Sequence, residues 1–263
     1  MSLILYPPSN PVAFGFLNIQ VHWYGIIMAL SMLIGISVAS YFFDKYVSKK
    51  DCDNFIDLIP IVIICAVLGA RIFYVIGDWG FYSKHITEIF LINHGGLSIF
   101  GALLFAISTI FIYSKTKKFS CLKYLDIMAL SMPLCQSIGR WGNFINQEAY
   151  GAPYNGFLKM YIAQNHRVDN FFNVEYYHPT FLYESVLDFI LFILLVIIFL
   201  KFKNIKAGTI FALYLLLYSF IRIFVENIRI DSVLNVSNIP IAIIISILTI
   251  LVSLFLLFGI YKK

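Results

Sequence analysis

Five apolar runs, at about 20–43, 55–77, 181–201, 207–225 and 239–261, constrain this chain more than any other feature. A helix crossing a bilayer core needs roughly 20 apolar residues. In hydrocarbon every backbone N–H and C=O must be satisfied within the segment, which leaves the α-helix as the form such runs can take. Each run is apolar on all sides, unlike the one-sided stripe of a soluble surface helix. Two weaker runs, about 97–113 and about 124–138, are shorter, and the second is interrupted near its end by Pro133. The hydrophobic fraction is 60% and the charged fraction 13%, against roughly 25% charged in soluble domains. The expectation is an all-α polytopic membrane protein of about seven transmembrane helices, a single domain over residues 1–263.

Lysine placement gives the orientation. Lys45, Lys49 and Lys50 follow the first run, and Lys115, Lys117, Lys118 and Lys123 separate the third from the fourth. Lys201, Lys203 and Lys206 separate the fifth from the sixth, and Lys262 and Lys263 end the chain, so twelve of fourteen lysines fall on one side. The positive-inside rule makes that side cytoplasmic, with the N-terminus outside and the C-terminus in the cytoplasm. The arginines do the opposite: Arg71, Arg140, Arg167, Arg222 and Arg229 fall in the outer halves of spans or in outer loops. The net charge of +5 therefore reflects mainly cytoplasmic lysines, whose partner is anionic lipid rather than nucleic acid.

The first nineteen residues carry no basic cluster before an apolar run, so no cleaved signal peptide is expected. Cys52, Cys65, Cys121 and Cys135 lack metal-site spacing, and the five histidines are isolated from one another, which suggests neither metal nor cofactor. The longest outer loop, about 139–180, is rich in Tyr, Phe and Asn and predicts a small extracytoplasmic head.

That loop opens with Gly139-Arg140-Trp141-Gly142-Asn143-Phe144-Ile145-Asn146-Gln147-Glu148-Ala149-Tyr150-Gly151. Polar groups so dense at a membrane boundary are costly unless they bind something. Arg140 offers a planar fork suited to phosphate, and the carboxamides add donors and acceptors without charge. The glycines would let backbone approach a ligand closely. In the sixth run Tyr218, Arg222, Glu226 and Arg229 are spaced by four, four and three, which puts them on one helical stripe.

The 139–151 run resembles the signature of the bacterial prolipoprotein diacylglyceryl transferases, G-R-x-G-N-F-x-N-x-E-x-x-G, at every fixed position. The stripe is similar to that family's Y-G-x-x-R-x-x-x-E-x-x-R, with Ser219 in place of Gly. Trp23-Tyr24-Gly25 and Gly69-Ala70-Arg71 resemble its W-Y-G and G-A-R. His178 to Glu184 resembles H-P-x-Q-L-Y-E with Phe181 replacing Gln; Glu184 reads as a helix cap or an arginine's partner. Where many members have the histidine of G-G-M-S-F-H-G-G-L, this chain has Phe100, and His94 lies six positions upstream of that slot.

The resemblance implies transfer of a diacylglyceryl group from phosphatidylglycerol to the lipobox cysteine of prolipoprotein signal peptides, at the outer leaflet of a bacterial cytoplasmic membrane. It places catalysis at Arg140, Arg222, Tyr218 and Glu148, and phosphatidylglycerol binding at Arg140, Asn143, Asn146, Gly151, Arg71, Tyr24, Glu226 and Arg229. Arg71 has a second reading, as a residue snorkelling to the interface. Such a displacement needs a thiolate, and a free thiol has a pKa of roughly 8.5, so clustered guanidinium charge would favour both nucleophile and leaving phosphate. Two other classes stay open from the residues alone, an anion or lipid transporter and a non-catalytic lipid-binding protein. A transporter would show helices broken near mid-membrane.

Overall fold

The computed structural model describes residues 2–16, 19–91, 95–202, 204–230, 235–236 and 239–262. Strands β1 (Leu3–Leu5), β2 (Val12–Phe16) and β3 (Ile19–His22) precede α1 (Trp23–Tyr46), α2 (Lys49–Gly77), the short α3 (Trp79–Tyr82), α4 (Ile99–Lys117) and α5 (Cys121–Asn146). β4 (Leu158–Tyr161) and β5 (Tyr176–Tyr177) lead into α6 (Thr180–Lys201) and α7 (Thr209–Glu226). β6 (Asn235–Val236) and β7 (Ile239–Pro240) precede α8 (Ile241–Lys262).

The chain is mostly helical, and α1, α2, α6, α7 and α8 are long and apolar enough to cross a membrane. α4 and α5 form on the two weaker runs without matching those five in apolar length. On α8, Leu248, Leu251, Phe255 and Phe258 are all more than half exposed. A contiguous apolar face of that extent is sustained by lipid, not by water. This is a multi-pass membrane protein.

Two expectations change. α5 runs through Pro133 to Asn146 and so takes in the first part of the run expected to be loop. Membrane helices tolerate proline because neighbouring groups re-satisfy the freed backbone. The helix stops only where Gln147 turns left-handed (φ 56°). In addition, among the described residues three small sheets accompany the helices: β1-β4-β5, β2-β3 and β6-β7.

Contacts divide the chain into two compact units, Ser40–Tyr124 and the remainder on either side of it. Within the first, α2 packs along α4. Gly69 and Gly101 sit where the helices touch: a Cβ on Gly69 would lie 2.6 Å from the Gly101 carbonyl oxygen, and one on Gly101 2.6 Å from Phe73 Cβ. Small residues let membrane helices approach this closely. Ser48 caps α2 by accepting from Asp51 N at 3.0 Å, and Phe43, Phe55 and Tyr124 pack as a buried aromatic cluster.

In the second unit α7 packs on both α6 and α8. Residues 147–179 form a small folded segment whose Tyr150, Met160, Ile162 and Tyr177 pack with Phe181 of α6 in one apolar centre. β1, from the start of the chain, runs parallel to β4 as an edge of its sheet. Tyr150 Oη donates to His166 O at 2.7 Å and accepts from Val168 N at 3.0 Å, so the buried phenol is satisfied on both sides.

Replacing Gly69 or Gly101 by leucine should cost about 1–3 kcal/mol through overpacking. Gly77→Leu, at a position with no neighbour within 4 Å of an added Cβ, should cost far less. Thermal unfolding of the detergent-solubilised variants measures the difference.

Candidate active site

Glu184, in the second turn of α6, is 1% exposed and joins two arginines from different helices. Arg140 of α5 reaches Glu184 Oε1 with Nη2 at 2.5 Å, and Arg222 of α7 reaches Oε2 with Nη1 at 3.2 Å. Arg222 Nη2 also meets Glu226 Oε2 at 2.7 Å, and Arg229 Nη1 approaches the same oxygen at 3.8 Å. The chain of pairs runs Arg140, Glu184, Arg222, Glu226, Arg229. This holds three guanidinium groups and two glutamates together, with Asp188 buried one turn beyond Glu184. The side chains of Arg140 and Arg222 are 18% and 17% exposed, so both can be reached from outside the cluster.

Polar groups extend this cluster along α5. Arg140 Nη1 lies 3.5 Å from Asn143 Oδ1, at the outer limit of a hydrogen bond. Asn143 Nδ2 donates to Glu148 Oε1 at 2.8 Å. Tyr218 Oη is 3.4 Å from Arg140 Nη2, close enough to orient the guanidinium. Asn146 and Glu148 line an open cleft of about 660 Å³ with His22 and His166. Gln147 and Ala149 flank Glu148 with φ of 56° and 58°. Left-handed backbone at non-glycine residues costs of order 1–3 kcal/mol each and concentrates at functional sites.

Two of the three glycines of the run, Gly142 and Gly151, face protein. A Cβ on Gly142 would lie 2.7 Å from the Tyr24 ring, and one on Gly151 2.8 Å from His178 Cβ. Both are closed against protein, and each permits a close packing contact rather than an open cradle for ligand. Tyr24 thereby packs its ring against α5 beside the cluster. The Gly151 N–H donates to His178 O at 3.0 Å, which ties the turn to the start of α6. Burial pushes the His178 imidazole below its ordinary pKa, and the ring stacks on Tyr154 and meets Tyr183 Oη at 3.1 Å.

Arg71 belongs to the Ser40–Tyr124 unit, and its fork is occupied there. It donates to the carbonyls of Ile89 (2.9 Å), Gly95 (2.6 Å), Gly96 (2.8 Å) and Glu88 (2.5 Å). In this conformation it is a clamp on the loop after α3, and it does not snorkel. Phe100 sits in the first turn of α4, about half exposed, while His94 lies outside the described residues.

Two supports of the cluster and one buried carboxyl beside it escaped the sequence. Ser137 Oγ donates to Ser185 O at 2.7 Å and Ser185 Oγ to Ser137 O at 2.8 Å, a reciprocal clasp that sets α5 against α6 one turn from Arg140. Asp126 accepts from Gly208 N at 2.6 Å and Phe211 N at 2.8 Å, and so caps α7 from within α5. Asp188, one turn beyond Glu184, is fully buried and has no hydrogen-bond partner among the described residues. Acidic residues inside apolar runs are the one signal that would have pointed to Asp126 and Asp188.

Residues 11–259 match the family described as prolipoprotein diacylglyceryl transferase. The chain belongs to that family. A phosphatidylglycerol–prolipoprotein diacylglyceryl transferase of Clostridium botulinum (strain Langeland) is 39% identical over 254 residues, covering 97% of this chain and 98% of the relative. Proteins of the same description from Bacillus licheniformis and Bacillus velezensis are 42% and 41% identical, covering 93% and 95% of this chain and 90% and 92% of theirs.

Glu184→Gln removes the charge shared by Arg140 and Arg222 and leaves both partly buried without it. Loss of one partner of a buried pair costs about 3–5 kcal/mol. The variant should lose most of its activity and melt at lower temperature. Asp188→Asn, which breaks no pairing, should melt no lower than the parent.

Proposed function

We propose that this chain transfers the diacylglyceryl group of phosphatidylglycerol to the thiol of the lipobox cysteine of prolipoproteins, the first step of bacterial lipoprotein maturation. The observation that carries this reading is the meeting of Arg140 and Arg222 on buried Glu184, with Asn143 and Glu148 hydrogen-bonded beside them.

In the reaction the cysteine sulfur forms a bond to the glyceryl carbon, the bond from that carbon to the phosphate oxygen breaks, and glycerol phosphate departs with the electron pair. The thiol proton leaves to solvent or to the departing phosphate. Arg140 and Arg222 hold the phosphate, and their charge stabilises the negative charge that grows on it. The same charge lowers the thiol pKa and raises the fraction of thiolate. Tyr218 orients Arg140. Asn143, Asn146 and Glu148 position the glycerol headgroup, with Tyr24 and Gly151 fixing the turn that carries them. Glu226 and Arg229 extend the cluster from Arg222. Arg71 acts through the loop it clamps, and direct contact with lipid would require it to release carbonyls. With Phe100 in the slot where many relatives have histidine, deprotonation relies on guanidinium charge and water.

The membrane is the bacterial cytoplasmic membrane, with the cluster toward the outer leaflet and the lysine-rich ends of the helices in the cytoplasm. Residues 147–179 form the extracytoplasmic head, and the whole chain acts as one transferase domain. A transporter reading gains nothing here: α6, α7 and α8 run without a break.

The test of activity is direct. The purified chain, incubated with phosphatidylglycerol and a lipobox peptide, should add the mass of one diacylglyceryl group to the peptide; no gain would refute the assignment. Arg140→Lys and Arg222→Lys keep the charge but lose the bidentate fork, and each should lose at least about a hundredfold in rate, equivalent to roughly 2.7 kcal/mol. Arg167→Ala should be mild, since that guanidinium donates to Ile162 O and Phe172 O within the head.

Orientation has its own test. Cys121 should resist a membrane-impermeant thiol reagent in intact cells, whereas a cysteine placed by Lys84→Cys should react. The reverse pattern would overturn the proposed side of the active site.

A further inference from the structure

A second charged site lies in the Ser40–Tyr124 unit, and the transfer reaction makes no use of it. Lys50, Lys117, Lys118 and Lys123 line one pocket of about 290 Å³, together with Asp51 and Tyr124. Lys50 and Asp51 belong to the first turn of α2, Lys117 ends α4, and Lys123 lies in the first turn of α5. Lys118 turns left-handed (φ 56°) between the last two and so brings both ends to the same pocket.

Asp51 does not neutralise these lysines by pairing with them. Its carboxylate accepts from Ser48 Oγ at 2.5 Å and from Tyr124 Oη at 3.0 Å. None of the four ammonium groups forms an ion pair among the described residues. Four positive charges against one negative charge leave a large excess around a single small cavity.

The surroundings say what kind of anion fits. α2 is long and apolar enough to cross a membrane. Phe111 and Ile112, on α4 less than two turns before Lys117, are 54% and 62% exposed, and Leu122, beside Lys123, is 39% exposed. A soluble anion has no use for such a border, but acyl chains do. Lysine is also the fitting cation: a hydrated point charge on a flexible stem follows a mobile headgroup, where arginine's rigid fork would fix one geometry. Basic pockets between membrane helices are a known way to hold anionic headgroups.

We propose that this four-lysine pocket binds the phosphate headgroup of an anionic phospholipid, with the acyl chains lying along the exposed apolar flank of α4 beside Leu122. This site is separate in residues from the arginine cluster and does not depend on the transferase reading.

The test uses the full-length chain purified in detergent and titrated with cardiolipin, a two-phosphate lipid, with phosphatidylcholine as the neutral reference; native mass spectrometry counts retained lipid. The parent should retain cardiolipin in strong preference to phosphatidylcholine, and the preference should fall as salt rises. Each Lys→Gln change in the pocket should weaken retention about fivefold, the equivalent of about 1 kcal/mol per basic residue. The quadruple Lys→Gln variant should lose more than about a hundredfold, while the quadruple Lys→Arg variant keeps most of the binding and Lys84→Gln keeps all of it. If the quadruple Gln variant does not yield folded protein, the four single variants decide the matter. Unchanged retention in all four overturns the proposal. Displacement of bound cardiolipin by millimolar inorganic phosphate would assign the pocket to a soluble anion and overturn the lipid assignment.

Discussion

A carboxylate buried at 1% exposure between two guanidinium groups needs both of them, and Glu184 is in that position. Taking a carboxylate out of water costs several kcal/mol, which is recovered only when opposite charges stand close and in good geometry. α5, α6 and α7 must therefore keep their registers, because a shift of one residue along any of them would separate the partners. The Ser137–Ser185 clasp holds one register, and the cap that Asp126 places on α7 holds the other. Both supports are hydrogen bonds made where water is scarce and an unmade bond is costly.

The chain of pairs fixes the planes of Arg140 and Arg222 in advance. A preorganised positive site needs no rearrangement when negative charge develops on a leaving group. Lysine would not serve here, because its single ammonium cannot bridge two carboxylates in a fixed plane. Three of the five arginines, Arg140, Arg222 and Arg229, are gathered in this cluster.

The run from Gly139 to Gly151 combines two kinds of work. Arg140, Asn143, Asn146 and Glu148 face polar partners or the cleft, while Gly142 and Gly151 allow protein to close around them. Left-handed Gln147 and Ala149 reverse the chain in a few residues, and this puts Glu148 back over Asn143. Polar and packing residues thus alternate along one short run.

The sequence by itself determined the membrane class, five of the helices, the arginine and carboxamide content of the site, and the family. Those properties are local: apolar length, residue spacing and a contiguous motif are all readable along one dimension. It also brought Tyr218, Arg222 and Glu226 onto one stripe of α7, because helical periodicity is itself local, whereas α7 ends at Glu226 and Arg229 meets that carboxylate from beyond the helix. What only the tertiary structure decided is which residues meet across helices. Glu184 could be read as a cap or as a partner, and its place between Arg140 and Arg222 depends on three helices packing in one register. The same holds for Arg71, whose donors are taken by a loop some twenty residues away, and for Asp126, whose partners lie more than eighty residues further on. Spacing along the chain carries no information about such contacts, since they are selected by the cost of leaving a buried charge or backbone group unpaired.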